Sequence, residues 1–142
     1  MNLTTTTTTL RDAITRHGVD VLDHLDRDAI IPTIDKAGRQ GDVIVLARPK
    51  RKAATGPVPA AGVPVVRGEN GGNTHLLLAD GPVFFDGRVP SAGDLQLGTL
   101  TVPAGSTAYL AHPEHAYMGI APGTYVISRQ REQADEIRMV AD

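Results

Sequence analysis

Residues 74–87 read THLLLADGPVFFDG. An apolar run, the turn formers Asp80-Gly81-Pro82, a second apolar run and a closing Asp86-Gly87 spell strand, turn, strand. The same rhythm continues on both sides. Upstream, Val43-Ile44-Val45-Leu46 is apolar at every position, as expected of a central strand covered on both faces, and Val63 to Arg67 is a further candidate. Downstream, Leu95–Val102, Thr107–Ala111 and Thr124–Arg129 are separated by Pro103-Ala104-Gly105 and Ala121-Pro122-Gly123. The 15 glycines and 10 prolines thus mostly punctuate short apolar runs. The expected fold is mainly β, a small antiparallel sandwich or barrel of cupin or jelly-roll type, with no alternation of strands and helices. Phe84, Phe85, Tyr109, Tyr117 and Tyr125 are the only aromatic residues, which places the main core in the C-terminal half.

Residues 1–38 differ from this pattern, so the expected division is an N-terminal arm and helical segment, 1–38, and a β domain with a charged tail, 39–142. The arm carries six threonines, Thr4, Thr5, Thr6, Thr7, Thr8 and Thr9. β-branching disfavours helix, so the run reads as extended or disordered chain. Thr9 is placed to cap a following helix, with Asp12 near its positive end. The apolar residues Leu10, Ala13, Ile14, Val21, Leu22 and Leu25 then fall on one helical stripe. Gly18 interrupts it: either one helix tolerates the glycine, or the helix stops there and Asp20 caps a second short one. That stripe must be buried on the β domain or on a partner subunit.

Composition narrows the function. At 41% hydrophobic and 21% charged, the chain is expected to be globular and cytoplasmic, or housed within an assembled particle. No apolar run approaches the roughly 20 residues of a membrane span. A net charge of -2 gives no general drive toward nucleic acid or anionic lipid. With zero cysteines, disulfides, thiolate metal sites and cysteine nucleophiles are excluded. The basic run Arg48-Pro49-Lys50-Arg51-Lys52 has no neighbouring aromatic on which a base would stack, so it reads as a solvated loop. No nucleophile elbow, phosphate-binding loop or dinucleotide fingerprint is present.

The chemistry-bearing cluster is His112-Pro113-Glu114-His115, with His75 early in another strand. Two histidines from one turn and a third from a neighbouring strand, with Glu114 in reserve, would make an open site for Zn, Fe, Mn or Ni. The bland alternative is a polar turn whose histidines meet carbonyls or solvent.

From Gly41-Asp42-Val43 onward the chain resembles a group of short uncharacterised bacterial proteins. The matching residues are His112, Glu114 and His115, then Pro122-Gly123-Thr124-Tyr125, Arg129-Gln130-Arg131-Glu132, and Arg138, Val140 and Asp142. No activity comes with the resemblance; it implies a histidine-based site. The chain departs from the pattern at Asn73, where the group has a further histidine. Two expectations follow. One is a non-enzymatic structural or interaction module, forming a homo-oligomer or joining a larger assembly such as a shell or phage particle. Its contact surface would be Thr4–Thr9 with Leu10, Ile14, Val21, Leu22 and Leu25. The other is a cupin-like metal protein with small-molecule chemistry at His75, His112 and His115.

Overall fold

A computed structural model describes residues 8–67, 74–88 and 95–130. Thr4 to Thr7, Asn73 and the segment from Arg131 to Asp142 lie outside the described residues. Helix α1 is Leu10–His17, and both of its ends follow from local chemistry. The Thr9 hydroxyl accepts the Asp12 N–H at 3.2 Å. At the other end Gly18 takes the left-handed conformation (φ 78°) and its N–H bonds the Ile14 carbonyl. Gly18 therefore stops the helix. Asp20 does not start a second one, because its Oδ1 accepts the neighbouring Val21 N–H at 2.8 Å and the chain runs on through turns.

The strands form two five-stranded sheets. In the first, β1 (Thr33–Ile34), β9 (Ala116–Ile120), β8 (Thr107–His112), β5 (His75–Asp80) and β4 (Val63–Val66) lie side by side in that order. In the second the order is β2 (Ala37–Gln40), β3 (Val43–Ala47), β10 (Gly123–Arg129), β7 (Gln96–Val102) and β6 (Phe84–Gly87). This is a sandwich, and the barrel alternative does not form. Asp80-Gly81-Pro82, Pro103-Ala104-Gly105 and Ala121-Pro122 each carry the chain from one sheet to the other, so neither sheet closes on itself. All pairings between named strands are antiparallel except β1 with β9, which is parallel. Strands β1, β2 and β9 were not expected from the sequence.

Alternation along the strands fills the space between the sheets. Val43 and Val45, Leu100 and Val102, Tyr125 and Ile127 from one sheet meet Leu77, Leu110 and Ile120 from the other. Each fully buried side chain of this kind contributes roughly 1.5–3 kcal/mol. Gly98 is required here. A Cβ on it would fall 2.5 Å from the Asp86 carbonyl oxygen and from the Phe85 ring, beside the register shift of β10 against β7. Gly98→Ala is expected to cost about 2 kcal/mol, read as a lower urea midpoint with an unchanged slope.

The first sheet is apolar on its outer face as well, through Leu78, Tyr109, Ala111 and Tyr117. The N-terminal segment covers it. Leu10 (4% exposed) and Val21 (6%) pack there with Ala13 and Ile31. Two further bonds fix the segment: the Tyr117 hydroxyl donates to the Val19 carbonyl, and the Leu22 N–H donates to the Pro113 carbonyl at 2.9 Å. Most of the stripe expected at an interface is thus taken up by the chain's own sheet, since that face needs a cover. Ile14 and Leu25 are half-buried at its margin, and Leu22 faces outward. Thr8 and Thr9 run antiparallel to 29–31, with a bridge from Thr9 to Ile30. On the opposite side of the molecule, the basic loop after β3 lies over the outer face of the second sheet. There Arg51 bonds Gln96 and the Ala54 N–H bonds the Thr101 hydroxyl.

Candidate functional site

The expected histidines do come together, at the end of the sandwich where the β8–β9 turn meets the β2–β3 turn. The ring centroids of His75 and His112 are 4.3 Å apart, those of His112 and His115 4.6 Å, and those of His75 and His115 6.1 Å. His112, the last residue of β8, caps its own turn: its Nδ1 accepts the N–H groups of Glu114 (3.0 Å) and His115 (3.3 Å). A ring nitrogen that accepts two N–H groups carries no proton, so the neutral His112 holds its proton on Nε2. Ala116, at the end of this turn, sits in the left-handed region with φ 66°. Glu114 and His115 are exposed.

Gln40 is the piece that sequence reasoning missed. It ends β2, in the second sheet, and is 4% exposed. Its Nε2 donates to two carbonyls of the first sheet, Leu110 at 2.8 Å and Ala116 at 3.0 Å. The amide is thereby oriented, and its Oε1 faces His75 Nδ1 at 2.9 Å. His75 is therefore the Nδ1–H donor, which leaves a lone pair on its Nε2. Nothing in a lone polar Gln40 ahead of a Gly-Asp turn signals this role.

Asp42 was also missed. Its Oδ1 lies 3.6 Å from His75 Nε2, and its Oδ2 accepts the Arg129 Nε at 2.8 Å. Arg129 at the end of β10 is thereby tied to the β2–β3 turn of its own chain. Burial would raise the Asp42 carboxyl, but the Arg129 hydrogen bond and charge outweigh it and hold the group below its usual value. Burial, then the neighbouring His112, pushes His75 down to about 4, with Asp42 opposing. At neutral pH His75 is uncharged, and its Nε2 lone pair and an Asp42 oxygen face each other as two acceptors. Gly41 (φ 59°) makes room for the third ring, since a Cβ there would lie 3.0 Å from His115 Nε2.

As placed, the three rings do not offer three lone pairs to one point. His112 Nδ1 is used by its own turn and His75 Nδ1–H by Gln40. Among the described residues no group of three His, Asp or Glu side chains is arranged to hold a metal ion. What the arrangement does chemically is to join the two sheets at this end through hydrogen bonds that a buried amide closes.

The model of a domain of unknown function, DUF8820, matches residues 39–130. The chain belongs to the DUF8820 family. The matched span holds every member of this chain's histidine cluster, from Gln40 to Arg129, and begins after α1. No curated protein and no solved structure matches the chain. Among the described residues, no helix is long and apolar enough to cross a membrane.

Proposed function

We propose that the protein is a non-enzymatic interaction module that assembles with further copies of itself, as in a shell or phage particle, through its N-terminal segment. One observation carries this reading. The large hydrophobic residues left exposed among the described residues, Leu22 at 43% and Ile30 at 59%, both lie on that segment. Ile30 lines an apolar crevice of about 160 Å³ together with Leu10, Leu25, Ile31, Pro32 and Tyr117. It is smaller than the few hundred Å³ of a typical metabolite pocket and suits an apolar side chain. Thr8 and Thr9, the described end of the threonine run, lie on the same face in a ladder with 29–31. The hydrogen bonds of the histidine cluster, closed among protein groups, support a structural role for it. In sedimentation velocity the protein is expected to exceed its 15.0 kDa monomer mass at micromolar concentration, and Ile30→Asp to return it to monomer. A wild-type chain that stays monomeric at every concentration would overturn the reading.

The facing acceptors on His75 and Asp42 favour a second reading, cupin-like. A divalent cation would sit between Nε2 and the carboxylate, with His115 beside it and His112 and Glu114 brought in by rearrangement of their turn. Titration of metal-free protein with Zn²⁺ or Co²⁺ tests it. Heat on binding that His75→Gln and His115→Ala abolish would support it; no heat would remove it.

A further inference from the structure

We infer, resting on the assembly reading above, that the copies join head to tail, with the turn Leu22–Leu25 of one chain entering the basic concavity of residues 47–51 in the next.

One surface is an exposed turn and the other is concave. The turn, closed by the Leu25 N–H to the Leu22 carbonyl, projects from the molecule, and the Asp23 side chain at its crest is fully exposed. After β3 the chain turns back through Arg48-Pro49-Lys50-Arg51, held by the Arg51 N–H to the Arg48 carbonyl at 3.0 Å. That turn walls an open concavity of about 460 Å³ lined by residues Ala47 to Arg51.

The two match in charge. Segment 20–28 carries Asp20, Asp23, Asp26 and Asp28 against Arg27 alone. Arg27 takes Asp20 at 3.1 Å, and Arg11 takes Asp28 at 3.0 Å. Among the described residues, Asp23 has no ion-pair partner but Arg27, at 3.9 Å. Facing this surplus of carboxylate, the loop presents Arg48, Lys50 and Lys52, none of which forms an ion pair with another described residue. Surplus charges of opposite sign steer association and fix its register. The exposed Leu22 beside Asp23 adds apolar area, and Pro49 receives it.

One chain cannot satisfy both surfaces by itself. The acidic turn is fixed to the outer side of the first sheet through the Leu22–Pro113 bond, whereas the basic loop covers the outer side of the second. Two packed sheets, about 10 Å apart, lie between them. The contact is therefore heterologous, and it closes into a ring or grows as a filament according to the rotation per step. A single-stranded nucleic acid fits the loop less well, since residues 48–62 contain no aromatic side chain for bases to stack on.

Charge reversal on each side tests the contact. Asp23→Lys/Asp26→Lys and Lys50→Glu/Lys52→Glu alter exposed groups. Since the Asp26 carboxylate also accepts the Asp28 N–H at 2.9 Å, circular dichroism checks the fold of both. Asp23→Lys alone, which breaks no such bond, is expected to show the same loss of assembly. Each double variant alone is expected to sediment at the 15.0 kDa monomer mass, and their equimolar mixture to recover assembly. Raising NaCl from 0.05 to 1 M shortens the screening length to about 3 Å and is expected to weaken wild-type assembly about tenfold or more. If both variants assemble as the wild type does, this contact is refuted while self-assembly through the N-terminal face stands. Loss of binding to a dT20 oligonucleotide in Lys50→Glu/Lys52→Glu, with assembly unchanged, would also refute it and assign the loop to nucleic acid. A monomeric wild type removes the assembly reading itself.

Discussion

Gln40→Leu is expected to be among the most damaging single substitutions in the protein. Leucine approximates the volume of glutamine but removes every polar atom from a site that is 4% exposed. The Leu110 and Ala116 carbonyls lose their common donor, and His75 Nδ1–H loses its acceptor. A buried polar group that loses a partner costs about 1–3 kcal/mol, so losing these three bonds together costs about 3–5 kcal/mol after partial relaxation. Against a total stability of roughly 5–15 kcal/mol, that lowers the melting temperature by more than about 10 °C. Thermal unfolding followed by circular dichroism measures it. A shift of only a degree or two would show that water replaces the amide and that the clasp between the sheets carries little energy.

The second large effect is with pH. The His75 imidazole titrates near 6.5 in the unfolded chain and at about 4 in the folded one. The unfolded state therefore binds more protons between these values, and stability rises with pH across that window. The full contribution is present above pH 6.5 and is lost as the pH falls toward 4. Each pKa unit is 1.36 kcal/mol, so the loss from this group is about 3 kcal/mol. Burial first, then Arg16, lowers His17 as well, which adds a slope of the same sign. Urea midpoints of metal-free protein at pH 7.5, 5.5 and 4.5 should fall in that order. His75→Gln should flatten most of the dependence while keeping a donor for Gln40. A midpoint independent of pH in the wild type would mean that the ring is charged, or solvated, in the folded state.

Much of the sandwich was legible because its central strands are apolar and bounded by turn residues. Val43–Ala47 and Gln96–Val102 begin and end within a residue or so of their expected limits. Strand β2, Ala-Gly-Arg-Gln, carries no apolar period at all, because it is an edge strand whose inward contact is a single polar side chain. Strand β9 directly follows the His-Pro-Glu-His turn and contains Gly119, so its pattern is hidden in turn chemistry. The helix stripe was visible, but its destination was not. Strands Leu76–Ala79 and Tyr109–Ala111 are apolar on both faces, and a sequence does not say which element covers the second face.

The histidine grouping was legible for the same reason that metal ligation was an expectation: residue type and position place three rings near one another. Their use depends on which nitrogen of each ring is already engaged, and that is set by Gln40 and by the backbone of the His112 turn. No spacing rule contains those partners. Asp42 and Arg129 pair across adjacent strands although 87 residues separate them in the chain.

The 2.9 Å bond from the Leu22 N–H to the Pro113 carbonyl couples the exposed turn of the N-terminal segment to the histidine cluster. It hangs the projecting turn on the very hairpin that holds His112 and His115. A disturbance of the imidazoles, whether by protonation or by loss of Gln40, loosens the peg on which that turn is mounted. On the proposed head-to-tail contact, acid would then be felt first as subunits letting go, ahead of any unfolding of the sandwich.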